Sequence, residues 1–541
     1  MPDTGDGLLS QNSSLRYAAI VIVFFAVVQF IIQVSLLTKG TEYAAASLII
    51  DDTYYYLQTA WNAKLLGFVT FDGLHATNGV QLLWFVIIYL LALLSTSKVA
   101  LLFTTLAINF LFNGLCYFII LKIGAILKQP VVALFMAGLW ALQSLPFRIY
   151  SIGMENSLHA LVFWCVLWQS VEFLIRVQNR DKPNFRGLTV VLILNAWTRL
   201  DSALLSAIIF TFCVGMLAYT YRLNLRLFFG RHGQAVLASS FVAGVGLLVQ
   251  LTAFQWMGDS YLPVSALVKT SAAGRGVDIQ PLEKLVNVFT LGMPSILQGR
   301  FPTLVLIGLG VFGVLLVILA RTNIVQQSQE MRAFHNLWLC LLACEIIYYV
   351  YVALSEVEYA PYFIWYRSPS FIFWIATGSL LASTVFVHPR LAKYTSSTLR
   401  WAPIACSLAL FAVAVYMFVR AINFTSDLYV ARYDVALWMA ENSPPDTVFA
   451  AWNAGQLSFF SNRTVINLDG VINSVDYYER VLVGSTSLAE YLGENNVDYI
   501  VDYSIYRPLP DYPVVQTFPL NDETGRSIHI WQVSSQHSST P

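Results

Sequence analysis

Apolar positions in this chain gather into long runs, with most of the charged residues in the intervals between them. The runs lie at about 17–37, 81–95, 99–122, 130–146, 156–176, 187–199, 202–221, 234–256, 302–321, 335–353, 369–387 and 401–420. A helix needs about 20 apolar residues to cross a hydrocarbon core of about 30 Å. The pattern therefore predicts a polytopic α-helical membrane protein. The first run follows Ser13, Ser14 and Arg16 with no small-residue cleavage site beside it, and it reads as a retained span.

Basic loops set the expected orientation. The segments 176–186, 222–232, 321–332 and 388–400 are rich in Arg, Lys and His and read as cytoplasmic. Glu155, Arg199–Asp201, the loops 257–301 and 354–368 and everything after 420 then fall on the opposite side, as does Asp51 if the N-terminus is cytoplasmic. Twelve runs cannot place the two termini on opposite sides. The three runs between 81 and 146 should make only two crossings, giving about 11 spans.

After residue 420 the period changes. DLYVARYDVALWMAEN reads as a helix, TVFAAW, TVINLDG and DYIVDY as short buried strands, SLAEYLGENN as a helix and RSIHIWQVS as an edge strand. The expected organisation is a helical module over 1–256 with a first external loop at 38–80, a loop and four further spans over 257–420, and a soluble extracytoplasmic α/β domain over 421–541.

Composition supports this division. The chain is 57% hydrophobic and 11% charged with zero formal net charge. Residues 421–541 hold 5 Arg, no Lys and 14 Asp or Glu, against 26 basic and 17 acidic residues elsewhere. Nothing here suits nucleic acid. All six cysteines lie in apolar runs, which excludes a disulfide framework in the soluble part.

The stretch IIDDTYYYLQTAWNAKLLGFVTFDGLHATNGVQLLW (49–84) carries the strongest chemical signal. Asp51 and Asp52 open an expected amphipathic helix, with Tyr54, Leu57, Trp61 and Leu65 along one face. Acids near a membrane are costly and often functional, so the pair is a candidate general base with its partner, against the plain reading of a solvated helix start favoured by the dipole. Glu155 starts a span on the same side and could bind an acceptor or, with Asp51, a divalent cation such as Mg or Mn. Its plain reading is again a helix-start acid. Arg199 and Asp201 read equally as an internal ion pair or as substrate contacts. Lys269, among Ser and Gly, and Arg367, after Trp365 and Tyr366, are candidate donor-phosphate contacts, against a solvated loop charge for Lys269 and, read as readily, a snorkelling Arg in an interfacial aromatic belt for Arg367. For Arg275 a solvated loop charge is preferred. His75, Asn78, Gln81 and Tyr366 are expected to line the substrate site. A lone His is more often a hydrogen-bonding residue than a ligand, and Asp469–Gly470 reads as a strand-end turn.

The order of these features resembles the GT-C superfamily of polyprenyl-phosphate-sugar-dependent glycosyltransferases, which includes protein O-mannosyltransferases, aminoarabinose transferases, arabinofuranosyltransferases and oligosaccharyltransferases. The resemblance rests on Asp51–Asp52 in the first external loop, the aromatic helix, FDGLHATNGVQLLW, Glu155, the long loop 257–301 and the extracytoplasmic C-terminal domain. It covers roughly residues 15–370 and implies a shared seven-span module. It further implies that Asp51 deprotonates an acceptor hydroxyl, which attacks the anomeric carbon of a lipid-phosphate sugar in one inverting step. Glycan, lipid or protein acceptors are all compatible, as is a multi-pass plasma-membrane location. A lipid or polysaccharide transporter, or a non-catalytic glycan receptor, is the rival reading. The scarcity of ionisable residues in the apolar runs argues against the transporter.

Overall fold

The computed structural model describes residues 5–146, 150, 152–222, 224–270, 300–319, 328–354, 368–386, 401–422, 426–503, 512–520 and 526–533. Among them, seven helices are long and apolar enough to cross a membrane: Ser13–Leu48, Lys98–Leu127, Asn156–Gln178, Ser202–Thr220, Leu225–Gly258, Ser368–Phe386 and Ala402–Ile422. Leu82–Leu94, Pro130–Ser144 and Phe185–Thr198 are shorter apolar helices. At 1.5 Å per residue each of these three is only about 20–23 Å long, less than the hydrocarbon core. Two of the three lie in the 81–146 interval where the crossings do not add up by sequence. Arg300–Leu319 and Gln329–Leu354 are also helical.

Tight contacts hold the bundle. In lipid there is little hydrophobic drive between helices, so small residues and polar knots do the work. Gly138 is no helix breaker: it sits inside Pro130–Ser144, and a Cβ there would lie 3.3 Å from the Ser407 carbonyl and 3.2 Å from a Leu410 methyl. The rings of Phe25 and Phe411 stack 4.3 Å apart. Buried Gln29 accepts a hydrogen bond from Tyr117 at 2.6 Å and donates one to Ser144 at 3.0 Å.

The C-terminal segment forms a five-stranded sheet in the order β2-β1-β3-β5-β4. Its strands are β1 (Val448–Ala451), β2 (Thr464–Asn467), β3 (Tyr499–Tyr503), β4 (Val514–Pro519) and β5 (Ser527–Gln532). β1 pairs in parallel with β2 and β3, and β5 runs antiparallel to β3 and β4. The expectation that RSIHIWQVS is an edge strand is corrected here. β5 lies inside the sheet, and the edge is β4, whose residues are mostly exposed. Alternation in β5 reports one covered face; it says nothing about how many neighbours a strand has.

One prediction tests the helix packing. Gly138→Val should lower thermal stability by about 1–3 kcal/mol, the usual cost of overpacking. A melting temperature equal to wild type in detergent would show that this contact does not tighten the bundle.

Candidate active site

Asp51–Leu66 is a 16-residue helix that begins with both acids in its first turn and ends at Gly67, whose φ of 80° closes it in the left-handed region. The expected one-sided amphipathic face is not what forms. Tyr54 and Leu57 are buried, but so are Thr53, Tyr55 and Tyr56, while Leu65 is 62% exposed. The first half is covered all round because the membrane helices pack on one side and the C-terminal domain on the other.

Consecutive helical residues point about 100° apart, so the two carboxylates part company. Asp51 faces the C-terminal domain. Its Oδ2 accepts from Gly455 N at 3.0 Å and its Oδ1 from Gln456 N at 2.9 Å. These are the first N–H groups of the short helix Gly455–Ser461, whose own N-cap residue, Ala454, supplies no capping side chain. Asp51 thus caps it from across the interface. Gly455 has to be glycine because a Cβ would strike the Asp51 carbonyl oxygen. Arg432 Nη1 stands 3.9 Å from Asp51 Oδ1, with its guanidinium over the rings of Tyr429 and Tyr503.

Asp52 points elsewhere, into a cleft that it lines with Tyr55, Tyr56, Gln81, Glu155, Arg199 and Lys269. Asp52, Tyr55 and Tyr56 share one helix face by their i, i+3 and i+4 spacing. Burial pushes the Asp52 carboxyl up to about 6; Lys269 opposes the shift and the charges of Asp51 and Glu155 add to it. Glu155 is 2% exposed. Its Oε1 accepts from Arg199 Nη1 at 2.7 Å and its Oε2 from the Tyr56 hydroxyl at 3.1 Å. Arg199 also grips Asp201 through Nε at 3.1 Å and Nη2 at 2.9 Å. The loop carrying Glu155 is fastened by Asn109, whose Oδ1 accepts from Gly153 N at 2.8 Å and whose Nδ2 donates to the Met154 carbonyl. Gly153 has φ 87° and a Cβ there would meet a Thr53 methyl.

The other expected site residues divide. Gln81 lines the cleft and its Oε1 accepts from Leu200 N at 3.3 Å. Lys269, on the helix Val264–Thr270, reaches the same cleft. Asn78 is fully buried as a brace: its Nδ2 donates to the carbonyls of Phe254, Ser260 and Leu262, and its Oδ1 accepts from Val264 N at 2.8 Å. His75 is not among the lining residues; its Nδ1 pairs with Asp72 Oδ2 at 2.8 Å, which raises its pKa. Arg367, Tyr366 and Arg275 lie outside the described residues. As a metal pair, Asp51 and Glu155 do not converge, since both oxygens of each are engaged with different partners. Among the described residues no three His, Cys, Asp or Glu side chains gather to hold an ion.

Sequence reasoning passed over several contributors. The loop after β2 lays Val471 and Ile472 against the cleft. In it, Asp469 Oδ2 accepts from the Tyr55 hydroxyl at 3.0 Å, and burial pushes that carboxyl up to about 7. The Asp-Gly pair was legible as a turn, but nothing local to it indicates a neighbour more than 400 residues away. A second, larger and mostly apolar groove adjoins the turn at Leu200–Ser202. Its walls come from the helices Ser202–Thr220, Gln329–Leu354 and Ser368–Phe386, and the buried Glu345 is among them. The apolar runs are thus not wholly free of ionisable groups.

This architecture is GT-C-like, a fold shared with two solved structures. An oligosaccharyltransferase from Archaeoglobus fulgidus, solved tethered to an acceptor peptide containing an NVT sequon, superposes with a TM-score of 0.51 at 14% identity, covering 91% of this chain and 69% of that one. ArnT from Cupriavidus metallidurans in the apo state superposes with a TM-score of 0.53 at 12% identity, covering 94% of this chain and 97% of that one. A family model described as "Domain of unknown function (DUF8728)" matches residues 421–535. No curated protein matches the sequence.

Asp51→Ala tests the interfacial cap. It leaves two buried N–H groups without an acceptor, each costing about 1–3 kcal/mol. The expected result is a lower melting temperature and faster proteolysis within 426–503. Wild-type resistance to protease would mean that the carboxylate does not fasten the domain.

Proposed function

We propose that this chain is a membrane glycosyltransferase that moves a sugar from a polyprenyl-phosphate donor to an acceptor hydroxyl, on the extracytoplasmic side of the plasma membrane, by inverting single displacement. The observation that carries the reading is the cleft itself: one half-buried carboxylate, Asp52, facing Lys269 and Arg199 at the bundle end where the C-terminal domain docks. The GT-C fold supports it. The apolar groove beside Leu200–Ser202 suits the donor's lipid chain.

The base in this proposal is Asp52, in place of the Asp51 suggested by resemblance. Both Asp51 oxygens are already occupied by backbone N–H groups, whereas Asp52 lines the cleft. As the acceptor oxygen bonds to the anomeric carbon, its proton passes to Asp52. The bond from that carbon to the phosphate oxygen breaks, and the lipid phosphate leaves with the electron pair. Lys269 and Arg199 stabilise the charge that gathers there. Glu155, gripping Arg199 and accepting from Tyr56, keeps that guanidinium in place. No metal is required of the described residues in this scheme.

The test is transfer from radiolabelled polyprenyl-phosphate sugars by the purified full chain. Asp52→Asn should lower the rate by about 10²–10⁴-fold, while Asp51→Asn, keeping one acceptor oxygen, should retain most of it. Because the base works deprotonated, wild-type activity should fall as the pH drops through about 6. The same shift makes a signed claim about stability. The folded pKa lies above the unfolded value of 3.8, so the charged form is disfavoured by folding. Asp52→Asn should therefore melt higher than wild type above pH 6, with the difference fading toward pH 4. A rate insensitive to Asp52→Asn would reject the base assignment.

Lys269→Ala should weaken donor binding by roughly 1.5–3 kcal/mol, the range for a hydrogen bond to a charged group. Donor affinity is read by titrating a fluorescent polyprenyl phosphate. Affinity equal to wild type would remove Lys269 from the phosphate site.

A further inference from the structure

We propose that Asp469, supplied by the C-terminal domain, is a positioning residue of the transfer site and acts through the Tyr55 hydroxyl on the cleft wall beside Asp52. The inference rests on the glycosyl-transfer reading above and extends it to a domain whose matching family carries no assigned function.

The two oxygens of Asp469 do different jobs. Oδ1 accepts from Val471 N at 2.9 Å, which is the local bond of an Asp turn and would exist in any such loop. Oδ2 accepts from the Tyr55 hydroxyl at 3.0 Å, which the turn does not need. The Tyr55 hydroxyl in turn accepts from Asn467 Nδ2 at 3.2 Å, so both its proton and a lone pair are directed by the C-terminal domain. The ring of Tyr55 stands edge-on to Phe71 with centroids 5.4 Å apart and an interplanar angle of 88°. Tyr55 is 5% exposed and lines the cleft one helical turn from Asp52.

The loop that presents Asp469 is itself tied at several points. Asn467 Oδ1 accepts from Gly470 N at 2.9 Å, and Asn473 Nδ2 donates to the Asn467 carbonyl at 2.6 Å. Thr77 donates to the Asn473 carbonyl at 2.8 Å, and Tyr477 to that of Leu468 at 2.9 Å. Gly470 has φ 84°, and a Cβ there would lie 3.2 Å from a methyl of Val268, next to Lys269. One rigid loop thus touches the base-bearing helix, the first external loop and the Lys269 helix. Small misplacements of reacting groups are costly to rate, and this loop fixes the relative placement of Asp52 and Lys269.

The experiment is a double-mutant cycle on the full-length protein, with Asp469→Asn, Tyr55→Phe and the pair. Asp469→Asn keeps the turn acceptor and turns the group facing Tyr55 from acceptor to donor; Tyr55→Phe removes only the hydroxyl. Each single variant should lower kcat by about tenfold, which is about 1.4 kcal/mol and within the range of couplings between contacting residues. Donor KM should stay at the wild-type value, the loss of rate should not follow any change in melting temperature, and the double variant should be no slower than the slower single. Asp469→Glu should recover part of the rate. Multiplying losses, an unchanged kcat in Asp469→Asn, or a loss that tracks melting temperature would overturn the inference while wild-type transfer stands. If the wild-type chain transfers no sugar from any polyprenyl-phosphate donor, the glycosyl-transfer reading itself fails, and this inference fails with it.

Discussion

Two carboxylates on consecutive residues of a helix cannot face the same way, and the end of this protein where the C-terminal domain packs on the helices is built around that constraint. Asp51 turns outward to the C-terminal domain and becomes the missing cap of Gly455–Ser461. Asp52 turns inward to the cleft. A single helical start thereby fastens the C-terminal domain and delivers a titratable group. The glycine at 455 lets the two backbones meet, and Arg432, stacked between two tyrosines, places a compensating charge beside the buried Asp51. Burying an acid without such partners would be expensive.

The same economy governs the rest of the cleft. Glu155 and Arg199 are 2% exposed each, and neither would be stable there alone. Together with Asp201 and Tyr56 they form a hydrogen-bonded chain in which every bond is at or below about 3.1 Å. The chain leaves the guanidinium on the cleft wall, with Lys269 brought to the same wall by a separate helix. That helix is held at its start by Asn78, which answers four backbone groups with one amide. Residues that looked like substrate contacts in the sequence therefore include braces whose contribution is to hold the charged groups in place.

The C-terminal domain takes part in the cleft; it does more than cover it. Val471 and Ile472 form part of the wall, and Asp469 and Asn467 direct the hydroxyl of Tyr55. The parallel pairing of β1 with β2 places the loop after β2 at the end of the sheet facing the Asp51–Leu66 helix, which is how a small α/β unit comes to touch a membrane-helix module at this point.

The sequence by itself determined the helical membrane class, the approximate places of the apolar helices and the change to strand–helix alternation after residue 420. These are periodic or compositional signals, carried by neighbouring residues, and the solvent reads them locally. It also supported grouping Asp51, Glu155, Arg199 and the tail at one end of the bundle, through the charge of the loops. Only the tertiary structure decided which acid enters the cleft, because a 100° step on a helix has meaning only once something packs on each side. It likewise decided that β5 is an inner strand, that Asn78 is a brace, that Gly138 is a packing contact, and that Asp469 meets Tyr55. Each of these depends on contacts between residues tens to hundreds of positions apart, and no local pattern encodes the partner on the far side of such a contact.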